Sequence, residues 1–188
     1  MAADVPVVVY DANVLFPFQT AHILVFIAQA RLVRARWSER IEQEWIEHAI
    51  AKTSPSERRS IEARRDAMNR AVPGAKVTGY DELVADIRFV DPDDRHVIAT
   101  ALAGGAGAIV TRDRHFTTEN LAPYGLEALD PDALLLRCYA SRPALTVAVA
   151  DAARRALSRS RPSPATYMDI LDAAGLIGFA DRLRAHQP

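Results

Sequence analysis

The chain of 188 residues, 49% hydrophobic and 25% charged, is long enough to bury one real core with at most a small appendage. A formal net charge of −1 excludes a uniformly basic, duplex-coating body, so any nucleic-acid contact has to be a local patch. The single cysteine, Cys138, excludes an intramolecular disulfide and the usual zinc-finger spacings and is expected to be a buried structural thiol. No apolar run reaches membrane-spanning length, and the first residues lack a basic region followed by a long apolar one, so a soluble, cytoplasmic protein is expected.

Val5 to Tyr10 is apolar at consecutive positions, the pattern of a central parallel strand covered on both faces. It ends at Asp11-Ala12-Asn13, where a carboxylate either caps the next turn or binds a cation. Ala21 to Arg36 carries Ile23, Leu24, Ile27, Ala28 and Leu32 at helical spacing and is expected as one amphipathic helix, with His22 at its surface or end. Ser38 caps a helix to about Lys52, with Ile41, Trp45 and Ala49 on one face. That helix bears Glu42, Glu44 and Glu47; Glu42 lies nearest the apolar centre, Glu44 flanks its edge, and the wheel does not choose between them. Ser54-Pro55-Ser56-Glu57 is a capping box opening a helix to about Ala71, whose Arg58, Arg59, Arg64, Arg65 and Arg70 form either a solvated face or a contact to a phosphate backbone.

Ile87 to Phe116 is the stretch around which the chain is organised, and it is expected as strand, helix, strand. Ile87 to Val90 supplies the first strand, Asp91-Pro92 opens the helix, Gly104-Gly105 closes it, and Ala108 to Thr111 supplies the second. The loop that follows, Arg112-Asp113-Arg114-His115-Phe116, mixes cations with an aromatic ring as single-stranded nucleic-acid sites do, which makes Arg112, Arg114 and His115 the candidate RNA contacts. Gly125 to Leu129 reads as a last strand, and Asp130-Pro131-Asp132 repeats the Asp-Pro helix start. As caps, Asp91 and Asp130 are both discounted as catalytic groups. Beyond them Ala133 to Ala140 is expected helical, Pro143 interrupts, and Leu145 to Ser158 forms another amphipathic segment. Thr166 to Asp169 caps one final helix bearing Ile170, Leu171, Leu176, Ile177, Phe179 and Leu183, a packed appendage or a partner-binding arm whose face with Ile170, Ile177 and Phe179 should be buried.

Asp11 after the first strand, Asp94 in the first turn after a middle strand, and Asp113 past the next strand all fall at the carboxyl edge of such a sheet, where open α/β folds place ligands. Acids crowded there repel one another unless a divalent cation neutralises them, and oxygen-only ligands favour Mg²⁺ or Mn²⁺. Such ions promote attack of water on phosphorus, so phosphodiester hydrolysis is the natural reaction.

The chain resembles the PIN-domain family, which includes the VapC-type toxin ribonucleases. The resemblance rests on Val8-Val9-Tyr10-Asp11-Ala12-Asn13-Val14-Leu15, on Trp37-Ser38-Glu39-Arg40-Ile41-Glu42-Gln43-Glu44, on Asp91-Pro92-Asp93-Asp94-Arg95-His96-Val97-Ile98-Ala99 and on Ile109-Val110-Thr111-Arg112-Asp113, together spanning roughly residues 5 to 130. It implies a three-layer α/β fold with a mainly parallel sheet of four or five strands over residues 1–132, followed by a helical C-terminal extension over 133–188. It implies an acidic quartet of Asp11, Glu44, Asp94 and Asp113, with Asp11, Asp94 and Asp113 as ligands to Mg²⁺ or Mn²⁺ and with Asn13 and Thr111 supporting them. The expected activity is metal-dependent endoribonuclease action on RNA, as the toxin of a toxin-antitoxin pair, with a small antitoxin as partner and a homodimer as the assembly. Two competing readings are a PIN module that grips RNA or a partner without cutting, and a phosphatase on the same sheet edge. The phosphatase would want an aspartate where Asn13 stands and a lysine near the later acids, and the chain offers only Lys52 and Lys76.

Overall fold

The computed structural model describes residues 5–54, 57–89 and 91–186. Its five strands, β1 (Val7–Tyr10), β2 (Arg34–Ser38), β3 (Lys76–Val77), β4 (Ala108–Val110) and β5 (Glu127–Leu129), form an all-parallel sheet in the order β3-β2-β1-β4-β5. β1 is central, as its consecutive apolar residues require: Val8, Val9 and Tyr10 are all buried, and the Tyr10 hydroxyl donates to Leu24 O at 3.0 Å. From β1 the chain steps outward to β3 through α1 (Ala12–Leu15), α2 (Phe18–Gln29), α3 (Glu39–Ala51) and α4 (Arg58–Ala71). It returns past β1 to β4 through α5 (Asp81–Val84) and α6 (Arg95–Ala103), and reaches β5 through α7 (Thr118–Leu121). Because parallel crossovers are right-handed, opposite stepping directions put the two helix sets on opposite faces. The direction reverses between β1 and β4, so their carboxyl ends flank the topological switch point.

Three expectations about elements are corrected. The helix expected over Ala21–Arg36 ends at Gln29; Arg31 turns the chain with φ 56°, and Arg34–Ser38 is a strand. Leu32 and Val33 continue the helical spacing without a glycine or proline to break it, which hid the boundary; the alternation of Ala35 and Trp37 (inside) with Arg34 and Arg36 was the opposing signal. Ile87 to Phe89 is not a strand, and Val90 lies outside the described residues. Ile87 and Phe89 are buried as plugs, with the Phe89 ring 4.8 Å from that of Phe116. The Arg88 amide and carbonyl bond the Tyr124 hydroxyl at 2.7 and 2.9 Å, replacing a strand neighbour. The parallel neighbours of β4 are therefore β1 and β5, not a strand before α6. The expected closure of α6 holds for a steric reason: a side chain at Gly104 would sit 2.9 Å from Thr100 O, and Gly105 takes φ 62°. Pro55 and Ser56 of the capping box lie outside the described residues, while Glu57 accepts from the Ser54 amide at 3.0 Å.

The C-terminal residues form four helices, α8 (Pro131–Ser141), α9 (Pro143–Ala156), α10 (Pro164–Ala173) and α11 (Ile177–His186). The single final helix expected from the sequence is split: Ser163 rather than Thr166 caps α10, and Gly175 at φ 76° breaks it from α11. Tyr167, Leu171, Leu176, Phe179 and Leu183 are buried, whereas Ile177, expected on that face, is 58% exposed because it opens α11 at the turn. α9 and α10 pack on α2, where His22 Nε2 lies 2.9 Å from Ala153 O. α11 is capped from another helix, since the Asp132 carboxylate in the first turn of α8 accepts the Gly178 and Phe179 amides at 2.9 and 2.8 Å. A side chain at Gly178 would meet Asp132 Oδ2 at 2.8 Å, so only glycine admits this contact. Cys138 is buried, and burial pushes its thiol up to about 11, as suits a structural cysteine. Among the described residues no helix is long and apolar enough to cross a membrane. Replacing Asp132 by alanine should cost about 0.5–2 kcal/mol in urea unfolding, the usual loss for a cap; an unchanged midpoint would show that α11 is held without it.

Candidate functional site

The site is built outward from Asp11, the first residue beyond β1. It is 6% exposed and caps α1 through an oxygen that accepts the Ala12 amide at 2.6 Å. Its other oxygen accepts from Thr111 Oγ at 2.7 Å and from Asn13 Nδ2, and Asn13 Nδ2 also donates to Thr111 Oγ at 2.8 Å. Thr111 is the first residue past β4, so this triangle joins the two strand ends across the switch point. The far end of α1 is closed by Arg64 of α4, which donates to Leu15 O and to Phe16 O, the latter at 3.0 Å, and lies over the Trp45 ring at 4.7 Å. Arg64 thus leaves the solvated or phosphate-binding arginine row expected from the sequence: it is a cation at a helix C-terminus, where the dipole favours it.

On the β4 side, the Thr111 hydroxyl accepts the Asp113 amide at 3.0 Å, and Asp113 Oδ1 accepts the His115 amide at 2.8 Å, which sets the loop. His115 Nδ1 lies 3.4 Å from Asp113 Oδ1 and 3.9 Å from Asp94 Oδ2. Asp94 comes from the turn Pro92–Asp94 that leads into α6, and Asp91 caps that turn by accepting the Asp93 amide at 2.9 Å. The cap explanation for Asp91 is correct but incomplete. Ligand atoms of Asp91, Asp94 and His115 lie within 4.8 Å of one another. Asp130 is the cap expected, accepting the Asp132 amide at 2.8 Å.

The two glutamates the helical wheel left open have different surroundings. Glu42 is 4% exposed and fully engaged, accepting from Trp37 Nε1 at 3.2 Å and Asn69 Nδ2 at 2.6 Å and pairing with Lys76 Nζ at 2.9 Å. Glu44 faces the acids: its Oε1 lies 2.8 Å from Nε2 of the buried His96 and 3.4 Å from Arg40 Nε. The His96 contact is out of line for a hydrogen bond, and neither ring nitrogen has a hydrogen-bond partner among the described residues. His96 was legible only as part of the Asp94-Arg95-His96 run; that it would support Glu44 depends on two helices meeting.

The electrostatics follow from this crowding. Burial pushes the Asp94 carboxyl up to about 6, and the neighbouring charges of Asp113, Asp11 and Asp91 add to the effect. Burial likewise raises Asp11 to about 6, opposed by its hydrogen bonds from Thr111 and Ala12 and reinforced by Glu44. Carboxylates that crowd and repel one another beside the His115 imidazole are a donor set that suits a divalent cation.

The three expected RNA contacts separate. Arg114 is exposed in the loop, and His115 stands among the acids. Arg112 is turned away: its guanidinium donates to Ala174 O at 2.6 Å and lies 3.8 Å from Asp130, while its amide donates to Asn13 Oδ1 at 3.0 Å. Arg112, still exposed, is therefore also a tie between the C-terminal helices and the site.

A parallel sheet of this order with acids gathered at its switch point is the architecture of a PIN domain. The PIN domain family matches residues 7–115, more than half of the sequence, and the chain belongs to that family. The family described as the VapC50 C-terminal domain matches residues 131–185. The chain is similar to the Mycobacterium tuberculosis (strain ATCC 25618 / H37Rv) protein named "Putative ribonuclease VapC50", with 42% identity over 59 residues that cover 31% of this chain and 34% of that protein. The similarity thus spans about a third of that relative's length. No solved structure matches the chain.

Two expected outcomes follow from the site's charges. A carboxyl raised in the folded state binds its proton more tightly there than when unfolded, so it costs stability increasingly as pH rises from about 4 through about 6. Asp94→Asn should therefore leave the metal-free melting temperature at pH 7 equal or higher and flatten its decline over that window; a lower, unflattened melt would make Asp94 a stabilising first-turn acid instead. In chemical denaturation Glu42→Gln should cost about 1–3 kcal/mol by stranding buried partners, whereas Glu44→Gln should cost far less. Equal losses would abolish the distinction.

Proposed function

We propose that this protein is a Mg²⁺- or Mn²⁺-dependent endoribonuclease that hydrolyses phosphodiester bonds of RNA, acting as the toxin of a toxin-antitoxin pair held by a small antitoxin protein. The observation that carries the reading is the gathering of Asp11, Asp94 and Asp113 with Glu44 at the switch point, repelling one another with no lysine among them. The two lysines stand elsewhere, Lys76 on Glu42 and Lys52 over the Phe16 ring at 5.1 Å. That argues against the phosphatase reading, and four intact acids argue against a module that only grips RNA. The name of the mycobacterial relative and the family of the C-terminal residues support a ribonuclease of the VapC type.

In this reading Asp11, Asp94 and Asp113 hold the cation, with Asp91 and His115 within reach of Asp94. When bound, the ion would supply the charge that activates water and stabilises the leaving oxygen. The protein's own groups do the positioning. Asn13 and Thr111 fix the rotamer of Asp11, and Glu44 stands between the buried His96 ring and Arg40, where it can orient a water or take its proton. Arg114 and His115 meet the RNA backbone at the mouth of the site. We further propose that residues 1–132 form the nuclease unit and 133–188 a helical extension joined to it.

The purified protein should cleave single-stranded or structured RNA with Mn²⁺ or Mg²⁺ and lose that activity in excess chelator, while Asp94→Asn should be inactive under both conditions. Full cleavage in chelator, or in Asp94→Asn, would rule out the metal-dependent mechanism.

A further inference from the structure

Beside the acids lies a cleft of about 270 Å³ between α1 and α3, lined by Ala12, Asn13, Phe16, Glu44, Trp45 and His48, whose aromatic residues the hydrolytic chemistry does not use. One wall is shared with the site, since Asn13 donates to Asp11 and Glu44 acts on Asp11 electrostatically. The other walls are aromatic. The exposed His48 ring stands edge-on to Phe16 at 4.5 Å between centroids, the Trp45 ring is buried behind them, and the Lys52 ammonium lies over Phe16 at 5.1 Å. The acids and their cation would engage a phosphate, so whatever enters this cleft belongs to the adjoining nucleotide. Ribose is hydroxylated and phosphate charged; only the base offers a flat apolar surface to an aromatic wall.

We infer that this cleft receives one unpaired nucleobase of an RNA strand, next to the phosphodiester held at the acids, with the exposed His48 ring as its stacking surface and Phe16, set at right angles to it, as the wall behind. The inference rests on the ribonuclease reading for the identity of the ligand but concerns residues outside the acid set. It makes the substrate at the cut single-stranded, because a base must leave its helix to enter. His48 and Lys52 both stand on α3 and the residue following it, one helical turn apart, so the groups that take the base and meet the strand's charge share one surface.

The test is binding of fluorescently labelled short oligoadenylate and of an abasic ribose-phosphate strand of equal length, read by anisotropy in chelator so that no cleavage intervenes. His48 is exposed, so His48→Ala should fold as the wild type does. It should lose about tenfold in affinity for oligoadenylate and almost nothing for the abasic strand, and His48→Phe should restore the preference for bases. Arg114→Ala should weaken both strands alike. If His48→Ala weakens both strands equally, or neither, the cleft is not a base site. Base-dependent binding by a protein that cuts no RNA with Mn²⁺ would overturn the nuclease reading and leave the cleft standing; metal-dependent cutting with no His48-dependent binding would do the reverse.

Discussion

A buried carboxylate at the end of the central strand is the constraint to which the rest of this molecule answers. Asp11 is almost fully removed from water, and a carboxylate so placed is tolerable only if its lone pairs are bonded. The Ala12 amide, Asn13 and Thr111 meet that demand, and in doing so they fasten β1 to β4 across the switch point and fix the direction in which α1 departs. These bonds only partly offset burial, so the carboxyl remains easier to protonate than an ordinary aspartate. The structure therefore tolerates an unfavourable charge in a fixed place, the usual mark of a functional rather than a structural acid. Glu42 shows the contrast: equally buried, it is given an ammonium, an indole and an amide.

Around this centre the longer-range connections are made by side chains that bond helix ends. Arg64 closes the carbonyl end of α1, Arg112 closes that of α10, and Asp132 satisfies the amide end of α11. Each obeys the dipole rule, cation at a carboxyl end and anion at an amino end, and each joins elements far apart in sequence. Arg112 is the most consequential, because its backbone serves Asn13 while its guanidinium serves the last helices. The C-terminal helices are thus bonded directly to the loop that carries Asp113.

Much of this was legible in the residues. Consecutive apolar positions identified β1 as central, Asp-Pro pairs marked two helix starts, and Asp11 and Asp113 were expected beyond strand ends, where β1 and β4 place them; the strand expected before Asp94 is a loop. What was not legible shares a cause. The boundary at Gln29, the absence of a strand at Ile87 to Phe89 and the division at Gly175 are decided by long-range packing or by a single backbone turn, while local spacing favours another answer. Ile87 and Phe89 are apolar because they are buried, and burial alone does not distinguish a strand from a plugged loop. Glu42 and Glu44 were inseparable on a wheel because the distinction lies in Lys76 and Asn69 on one side and His96 on the other, residues whose approach depends on the whole sheet. Nor does a cation in a loop announce that it bonds a carbonyl sixty-two positions away, as Arg112 does.

The strand order also governs when the site can exist. Asp11 emerges early in synthesis, but the hydroxyl that bonds it belongs to a residue 100 positions later, and the strand beside it cannot dock until the intervening crossovers have formed. Contacts of such sequence separation form late and slow a fold. A chain that stops short of β4 leaves one edge of β1 open and Asp11 without the Thr111 hydroxyl that bonds it or the Asp113 carboxylate beyond. Assembly of the carboxylate cluster is in effect a checkpoint on completing β4, so a truncated or stalled product would carry the leading motif of the family without the fourth acid, Asp113.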